Sequence, residues 1–503
     1  MTLKIKNTPP NSIQSGHNNE FISRYKLLFI FCVLLLPMVN YAAIWPVGPN
    51  KTYKYCSQVA SLVQQGDTIT IDAALYVNDA QVQWTKNNLF IVGIGGRPRL
   101  QAGSVIANDN VNGKGIFVVK GSNIRVENIE FANAKVVDHN GAGIRQEGAN
   151  LYVSHCKFDG NEMGILQGGT IQNCTTTIEY SEFLNGGSAT NPGYQHNIYI
   201  NFIDTLIFRY NHSYDATAEG HELKSRAKYN IITYNTIANQ QTTDSRTIDL
   251  PNGGTVIMLG NIIEQGPNSA NSNILGYGLE GLTNLAPHEL WIANNTFVNK
   301  KNTGSFIHLA NGTKSLFLKN NIMVGRKTAG LIIGSPMTID SSHNIINDDI
   351  TKVGFVNPNN YDYHLASSSI AIDGGLNIAL SIFGYSLLVD KEYKYLCDFQ
   401  TRYFEGQVDI GAFEFQKTLS TENHQINLNF SIYPNPCMGW ISIKTKDKSE
   451  KINLQIINLN GKILLEKEMQ DNEILDLSAF PHGLYIIRTK EDQGKILKLI
   501  KTE

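Results

Sequence analysis

The chain has 503 residues, enough for two or three domains, with 42 Lys and Arg against 44 Asp and Glu for a formal charge of −2. So even a balance excludes a general nucleic-acid binder, and no nucleic-acid partner is expected. A charged fraction of 17% and 43 glycines favour a turn-rich β protein over a helical one.

Near the start, Arg24 and Lys26 precede an apolar run from Leu27 to Val39, followed by the small residues Ala42 and Ala43. This basic, apolar and small-residue order predicts a secretory signal over residues 1–43. The run is too short for a comfortable membrane span. Five cysteines lie beyond it, Cys56, Cys156, Cys174, Cys397 and Cys437. Their odd number and wide scatter argue against a disulfide scaffold or a thiolate metal site. Cys156 and Cys174 are either a bridge or two buried thiols.

Residues 66–77 and 87–96 alternate apolar and polar side chains between glycine turns, as strands do. From there an eight-residue pattern recurs, in IRVENIEF (124–131), LYVSHCKF (151–158), NIITYNTI (230–237) and LFLKNNIM (316–323), among others. Its sixth position is held by Ile129, Cys156, Ser181, Asn211, Asn235, Asn261, Asn295, Asn321 and Asn344, spaced 23–34 residues apart. A fixed motif at that interval marks a solenoid whose repeats need one another to bury a core. Amides at one register can bond up a stack of strands about 4.8 Å apart. This pattern resembles the right-handed parallel β-helix, with its asparagine ladder at a tight turn, and assigns residues 44–415 to that fold. NYDYHLASSSIAIDGG (360–375) and VDIGAFEF (408–415) resemble the closing segment of bacterial β-helix proteins, and residues 376–407 between them read as a cap.

Reactive side chains concentrate at residues 191–237. Period-2 burial turns Leu223, Ser225 and Ala227 inward and Glu222, Lys224 and Arg226 outward. The same rule buries Ile198 and Ile200 and turns Asn197, Tyr199 and Asn201 outward. Counted back from the ladder, Arg145, Tyr199, Lys224 and Asp249 fall eleven or twelve residues before their markers, and Glu147 and Arg226 nine. They should form one stripe on the outer face, with His196 and His221 at its edge. Expected catalytic groups are Lys224, Arg226, Tyr199, His196 and His221, a typical acid–base inventory. Arg145, Glu147, Asn197, Glu222, Asp249 and Tyr277 are expected to line the groove. Asp249–Gly254 and the Tyr277-Gly278-x-Glu280 loop should shape it.

A basic and aromatic groove suits an anionic polysaccharide. On a uronate polymer, β-elimination needs the carboxylate neutralised, the C5 proton removed and the leaving O4 protonated. Arginine is normally always protonated, which favours Lys224 as base and Arg226 as neutraliser. Glu222 with Asp249 would instead serve a glycoside hydrolase, and a glycan-binding or adhesin-like rod would need only the groove. The coil HELKSRAKYNIITYNTI also resembles the catalytic coil of the β-helical alginate and chondroitin lyases, through Lys224-Ser225 and Asn230-x-x-x-x-Asn235-Thr236. Counted from Asn235-Thr236, the family's lysine position falls on Arg226. The resemblance makes calcium a candidate cofactor, and His221 falls near one of the acidic ligands.

Residues 416–428 form a polar linker. Beyond it, YPNP (433–436), NLNGK (458–462) and GLYII (483–487) resemble the C-terminal sorting domain of type IX secretion substrates, here over 429–503. Short strands joined by Asn-Gly turns independently fit a small β-sandwich. The resemblance implies the type IX machinery as a partner, and a protein secreted or anchored at the outer cell surface. A monomer is expected.

Overall fold

The computed structural model describes residues 42–103, 113–328, 330–404, 406–416, 430–449, 451–458, 461–490 and 496–502. The expected signal and linker fall almost wholly outside these. The chain divides into two compact units, one ending at Phe415 and the other beginning at Gln416.

The first unit is a right-handed parallel β-helix. Among the described residues, successive coils lay their strands into three parallel sheets of 12, 10 and 11 strands. Alternation decides which side chains point in: Ile198 and Ile200 of one strand stack beside Leu223 and Ser225 of the next, and all four are buried. Equivalent residues therefore meet their counterparts one coil away. Phe131, Phe158 and Phe183 stack with ring centroids 5.2 and 4.6 Å apart inside the rod. The repeats counted from Ile129 understate the rod, because Ile44–Val47, Thr68–Asp72 and Phe90–Ile94 already pair into the 12-stranded sheet.

The asparagines form a continuous ladder. Asn211 Nδ2 donates to Asn235 Oδ1 at 3.1 Å, Asn235 to Asn261 at 2.9 Å, Asn261 to Asn295 at 2.8 Å, Asn295 to Asn321 at 3.1 Å and Asn321 to Asn344 at 3.0 Å. Ser181 extends it, its Oγ accepting from the Cys156 amide at 3.1 Å. The residue before each marker sits in the left-handed region, as in Tyr180, Tyr210, Tyr234 and Asn294 at φ of 50°, 59°, 56° and 52°. That conformation costs a non-glycine residue on the order of 1 kcal/mol, and side-chain stacking offsets it. Tyr180, Tyr210 and Tyr234 stack outside the turn at 5.0 and 5.7 Å. Gly260 occupies the next step at φ 63°, where a Cβ would stand 2.6 Å from the Tyr234 ring.

The segment expected to cap the rod, 376–407, lies along its outer faces. After the last coil the chain folds back along two outer faces of the rod. Ile378, Leu387 and Val389 bury Ile231, Ile257 and Leu259 of the 12-stranded sheet. Tyr363, Tyr393, Ile410 and Phe413 bury Ile262, Val298 and Val324 of the 11-stranded sheet. The wrap is locked by buried Arg402, paired with Glu414 at 2.8 Å and donating to the carbonyls of Gly411 and Asp409, each at 3.0 Å. Neither of these clusters includes a residue of the 10-stranded sheet, whose outer face carries the predicted stripe.

Cys156 and Cys174 are two free buried thiols, and the other three cysteines are free as well. The second unit holds antiparallel sheets of three and four strands around Phe430, Ile443, Leu454, Ile456, Tyr485 and Leu499. Asn435 of the YPNP motif ties the last strand down. Its amide donates to the Lys498 carbonyl at 2.6 Å and its Oδ1 accepts from the Ile500 amide at 2.9 Å.

Candidate functional site

The outer column of the 10-stranded sheet runs Arg145, Leu166, Tyr199, Lys224, Asp249, Gly276 and His308, each paired in register with the next. Arg145 stands two coils before Tyr199 and pairs with Glu147 at 3.6 Å. The dense part of the stripe is Tyr199, Lys224, Asp249 and, two residues past Lys224, Arg226.

Lys224 Nζ contacts Glu280 Oε1 at 2.9 Å and Asp249 Oδ2 at 3.3 Å. Arg226 Nη2 holds the other Glu280 oxygen at 2.6 Å, while Nε donates to Tyr199 Oη at 2.9 Å and Nη1 to Asn252 Oδ1 at 2.6 Å. The side chains of Lys224 and Arg226 are 12% and 14% exposed, and that of Glu280 is 46%. Two cations thus converge on one half-exposed carboxylate. Partial burial pushes the Glu280 carboxyl up, but hydrogen bonds and charge from Lys224 and Arg226 hold it below its ordinary range. Burial opposes the charge on Arg226, yet the bonds to Tyr199 and Glu280 raise its pKa further.

A second column lies three residues before the first: His196, His221, Arg246 and Asn273. The two imidazoles stack at 4.8 Å, and the His221 amide donates to His196 Nδ1 at 3.1 Å. His221 meets Asp249 Oδ2 through Nε2 at 3.5 Å and the Arg246 carbonyl through Nδ1 at 3.1 Å. Burial, with His221, Lys224 and Arg226 nearby, pushes His196 well below the ordinary imidazole value. Burial also brings His221 down to about 4, with Lys224 and Arg246 adding to the drop and Asp249 opposing it. Both rings are neutral near pH 7. Arg246 contacts Asp249 Oδ1 at 3.5 Å. Gly276 makes room for this, since a Cβ there would stand 2.8 Å from Arg246 and 2.9 Å from Asp249.

Three residues expected in the groove are elsewhere. Asn197 and Glu222 are buried, because their strands start one residue later, at Ile198 and Leu223. Both belong to the preceding turn, where strand alternation does not apply. Asn197 Nδ2 donates to Glu222 Oε2 at 2.5 Å, and Glu222 Oε1 accepts from the Ala216 amide at 2.8 Å. Burial, reinforced by Asp244, pushes the Glu222 carboxyl well up. A hydrolase pair of Glu222 and Asp249 therefore loses its first carboxylate to the interior. Tyr277 alternates inward beside Leu250 and Leu309, and its hydroxyl donates to the Gly254 carbonyl at 2.6 Å.

Arg246 and Asn273 were not singled out beforehand, and Glu280 and Asn252 only as parts of loops expected to shape the groove. Register alone could have found Arg246 and Asn273, which repeat the three-residue offset of His196 and His221. Glu280 comes from a loop two residues past Gly278, and no periodicity places it. Calcium does not fit this stripe. Asp249 is already engaged by Lys224, His221 and Arg246, and among the described residues no group of three or more His, Cys, Asp or Glu converges to hold a metal ion.

Comparison with curated proteins returns no match. Among solved structures the chain is similar to pectate lyase Pel9A, with 13% identity and a TM-score of 0.44 over 75% of this chain and 98% of that one. It is also similar to the tailspike protein of Acinetobacter phage vB_ApiP_P1, with 12% identity and a TM-score of 0.28 over 88% of this chain and 74% of that one. Residues 431–502 match the family model described as a secretion system C-terminal sorting domain, so this β-helix carries a type IX export tail and is secreted or anchored at the cell surface.

Proposed function

We propose that the protein is a polysaccharide lyase acting by β-elimination on a uronic-acid-containing polymer. The observation that supports it is the grip of Lys224 and Arg226 on the single carboxylate of Glu280, at 2.9 and 2.6 Å, on the face that the wrap leaves open. In a bound polymer the uronate carboxylate takes the place of the Glu280 carboxylate on Arg226. C5 is the carbon that bears that carboxylate, so Lys224 then flanks the C5 proton. In its uncharged form Lys224 takes this proton; the C–H electrons form the C4–C5 double bond and the C4–O4 bond breaks. Tyr199 Oη, beside Arg226, gives its proton to the departing O4. Arg226 serves as the fixed charge that steadies the developing carboxylate dianion, since guanidinium does not give up its proton. His196 and His221, neutral and stacked behind the stripe, orient Asp249 and through it Lys224.

The test is a panel of uronic-acid polymers assayed for the ultraviolet absorbance of an unsaturated product. Lys224→Ala, Arg226→Ala and Tyr199→Phe should each lower turnover about 10²–10⁴-fold while the fold survives. Full activity in all three variants, or saturable polymer binding that never yields an unsaturated product, would overturn the reading. The second result would leave a glycan-binding rod.

A further inference from the structure

Where the wrap crosses the outer face of the 11-stranded sheet, it does not pack solidly. It leaves a cavity of about 460 Å³ between that sheet and residues 360–413. Ligand pockets span about 300–1,000 Å³. The walls are unusually aromatic: Tyr361, Tyr363, Tyr393, Tyr395 and Phe413 from the wrap, and His212 from the sheet. His212 stacks on Tyr214 at 4.2 Å and stands edge-on to Tyr395 at 6.0 Å.

The polar groups of the cavity say what kind of occupant fits. Its buried carboxylate, Glu264, is already answered by Lys300 at 3.0 Å and by the hydroxyl of Tyr363. Lys300 Nζ also lies 3.8 Å from the centre of the Tyr361 ring, filling the position that a ligand cation would take. Burial brings His212 down to about 4, so its ring is uncharged near neutral pH. Its Nδ1 is buried and makes no hydrogen bond among the described residues. The cavity thus offers ring faces, and its charged lining groups are paired, Glu264 with Lys300, Asp362 with His364 at 2.6 Å and Lys394 with Asp398 at 3.4 Å. A pyranose presents the matching surface, apolar C–H faces inside a rim of hydroxyls, and carries no charge.

We propose that this cavity is a second carbohydrate site, binding one neutral sugar unit against Tyr361, Tyr395 and His212. It lies on a different sheet from the Lys224 stripe and does not depend on any chemistry there. A chain held on both faces would be fixed along the rod by a neutral branch or end while its charged backbone lies on the stripe.

The experiment is saturation-transfer NMR on the full chain with D-glucose, D-galactose and D-xylose in turn, and D-galacturonate as the charged control. Expected is saturable transfer to ring protons of at least one neutral sugar, with affinity falling about tenfold in Tyr361→Ala and in Tyr395→Ala as a stacking face is lost. Tyr395 is 76% exposed, so its removal leaves the fold intact. Binding should persist in Lys224→Ala, which separates this site from the stripe. The proposal fails if none of the three neutral sugars binds saturably, if Tyr395→Ala binds as well as the parent, or if Lys224→Ala abolishes the signal.

Discussion

Replacing Asn235 by alanine tests the ladder at its centre. The side chain accepts from the Asn211 amide at 2.9 Å and from Asn211 Nδ2 at 3.1 Å, and donates to the Phe208 carbonyl and to Asn261 Oδ1, each at 2.9 Å. All of this is buried. Alanine leaves the Asn211 N–H without a partner, whereas the Phe208 carbonyl stays within the sheet, where Phe208 pairs with Ile232, and loses only its side-chain bond. Asn211 Nδ2 keeps its bond to the Ile178 carbonyl, and Asn261 Oδ1 still accepts from the residue 235 amide. One orphaned buried donor at about 1–3 kcal/mol, with the lost bonds to Phe208 and Asn261 at about 0.5–1.5 kcal/mol each, gives a loss of about 2–6 kcal/mol. Asn344, at the ladder's end and only half-buried, should cost about 1 kcal/mol, because water replaces its bonds. Asn235→Ser should recover part of the loss, since Ser181 already serves this register, accepting from the Cys156 amide and donating to the Glu179 carbonyl at 2.8 Å. The assay is denaturant unfolding of the β-helix followed by circular dichroism. The reasoning fails if Asn235→Ala costs no more than Asn344→Ala.

Three other outcomes are expected. His221 sits at about 4 in the folded protein, against about 6.5 unfolded. The unfolded chain takes up the proton first, so the contribution of this residue is full above pH ~6.5 and shrinks as pH falls toward ~4. Relative to His221→Gln, the parent should lose on the order of 3 kcal/mol across that window; a pH-independent difference would show that the imidazole titrates normally. Glu280→Gln should tighten binding of a saturated oligouronate about threefold to tenfold, since the ligand no longer competes with a half-exposed ion pair for Arg226; weaker binding measured by calorimetry would assign Glu280 to holding the cations in place. In the native host, truncation after residue 428 should abolish surface exposure, read by protease accessibility on intact cells, and undiminished display would mean that the C-terminal unit is not the export signal.

Much of this protein was legible before any coordinates. The nine-position register from Ile129 to Asn344 dictates a solenoid because identical groups recur at one turn of each coil, and bonds between neighbouring coils favour the same residue at each step. The same count put Tyr199, Lys224 and Asp249 on one outer column, since parallel strands in register carry any offset unchanged from coil to coil. Alternation failed where strands begin: Asn197 and Glu222 lie one residue before their strands, and there the turn geometry, not the pleat, decides which way a side chain points. Long-range packing was largely out of reach: the loop ending at Glu280 was expected at the groove, but not its contacts. Glu280 reaches Lys224 and Arg226 from a loop that no period describes. The wrap of residues 353–413 covers two of the three outer faces, leaving the predicted stripe open and enclosing the aromatic cavity. A repeat pattern encodes contacts between neighbouring coils; which face stays open depends on contacts such as Tyr363 with Glu264, 99 residues apart in the chain, and only the folded molecule brings those together.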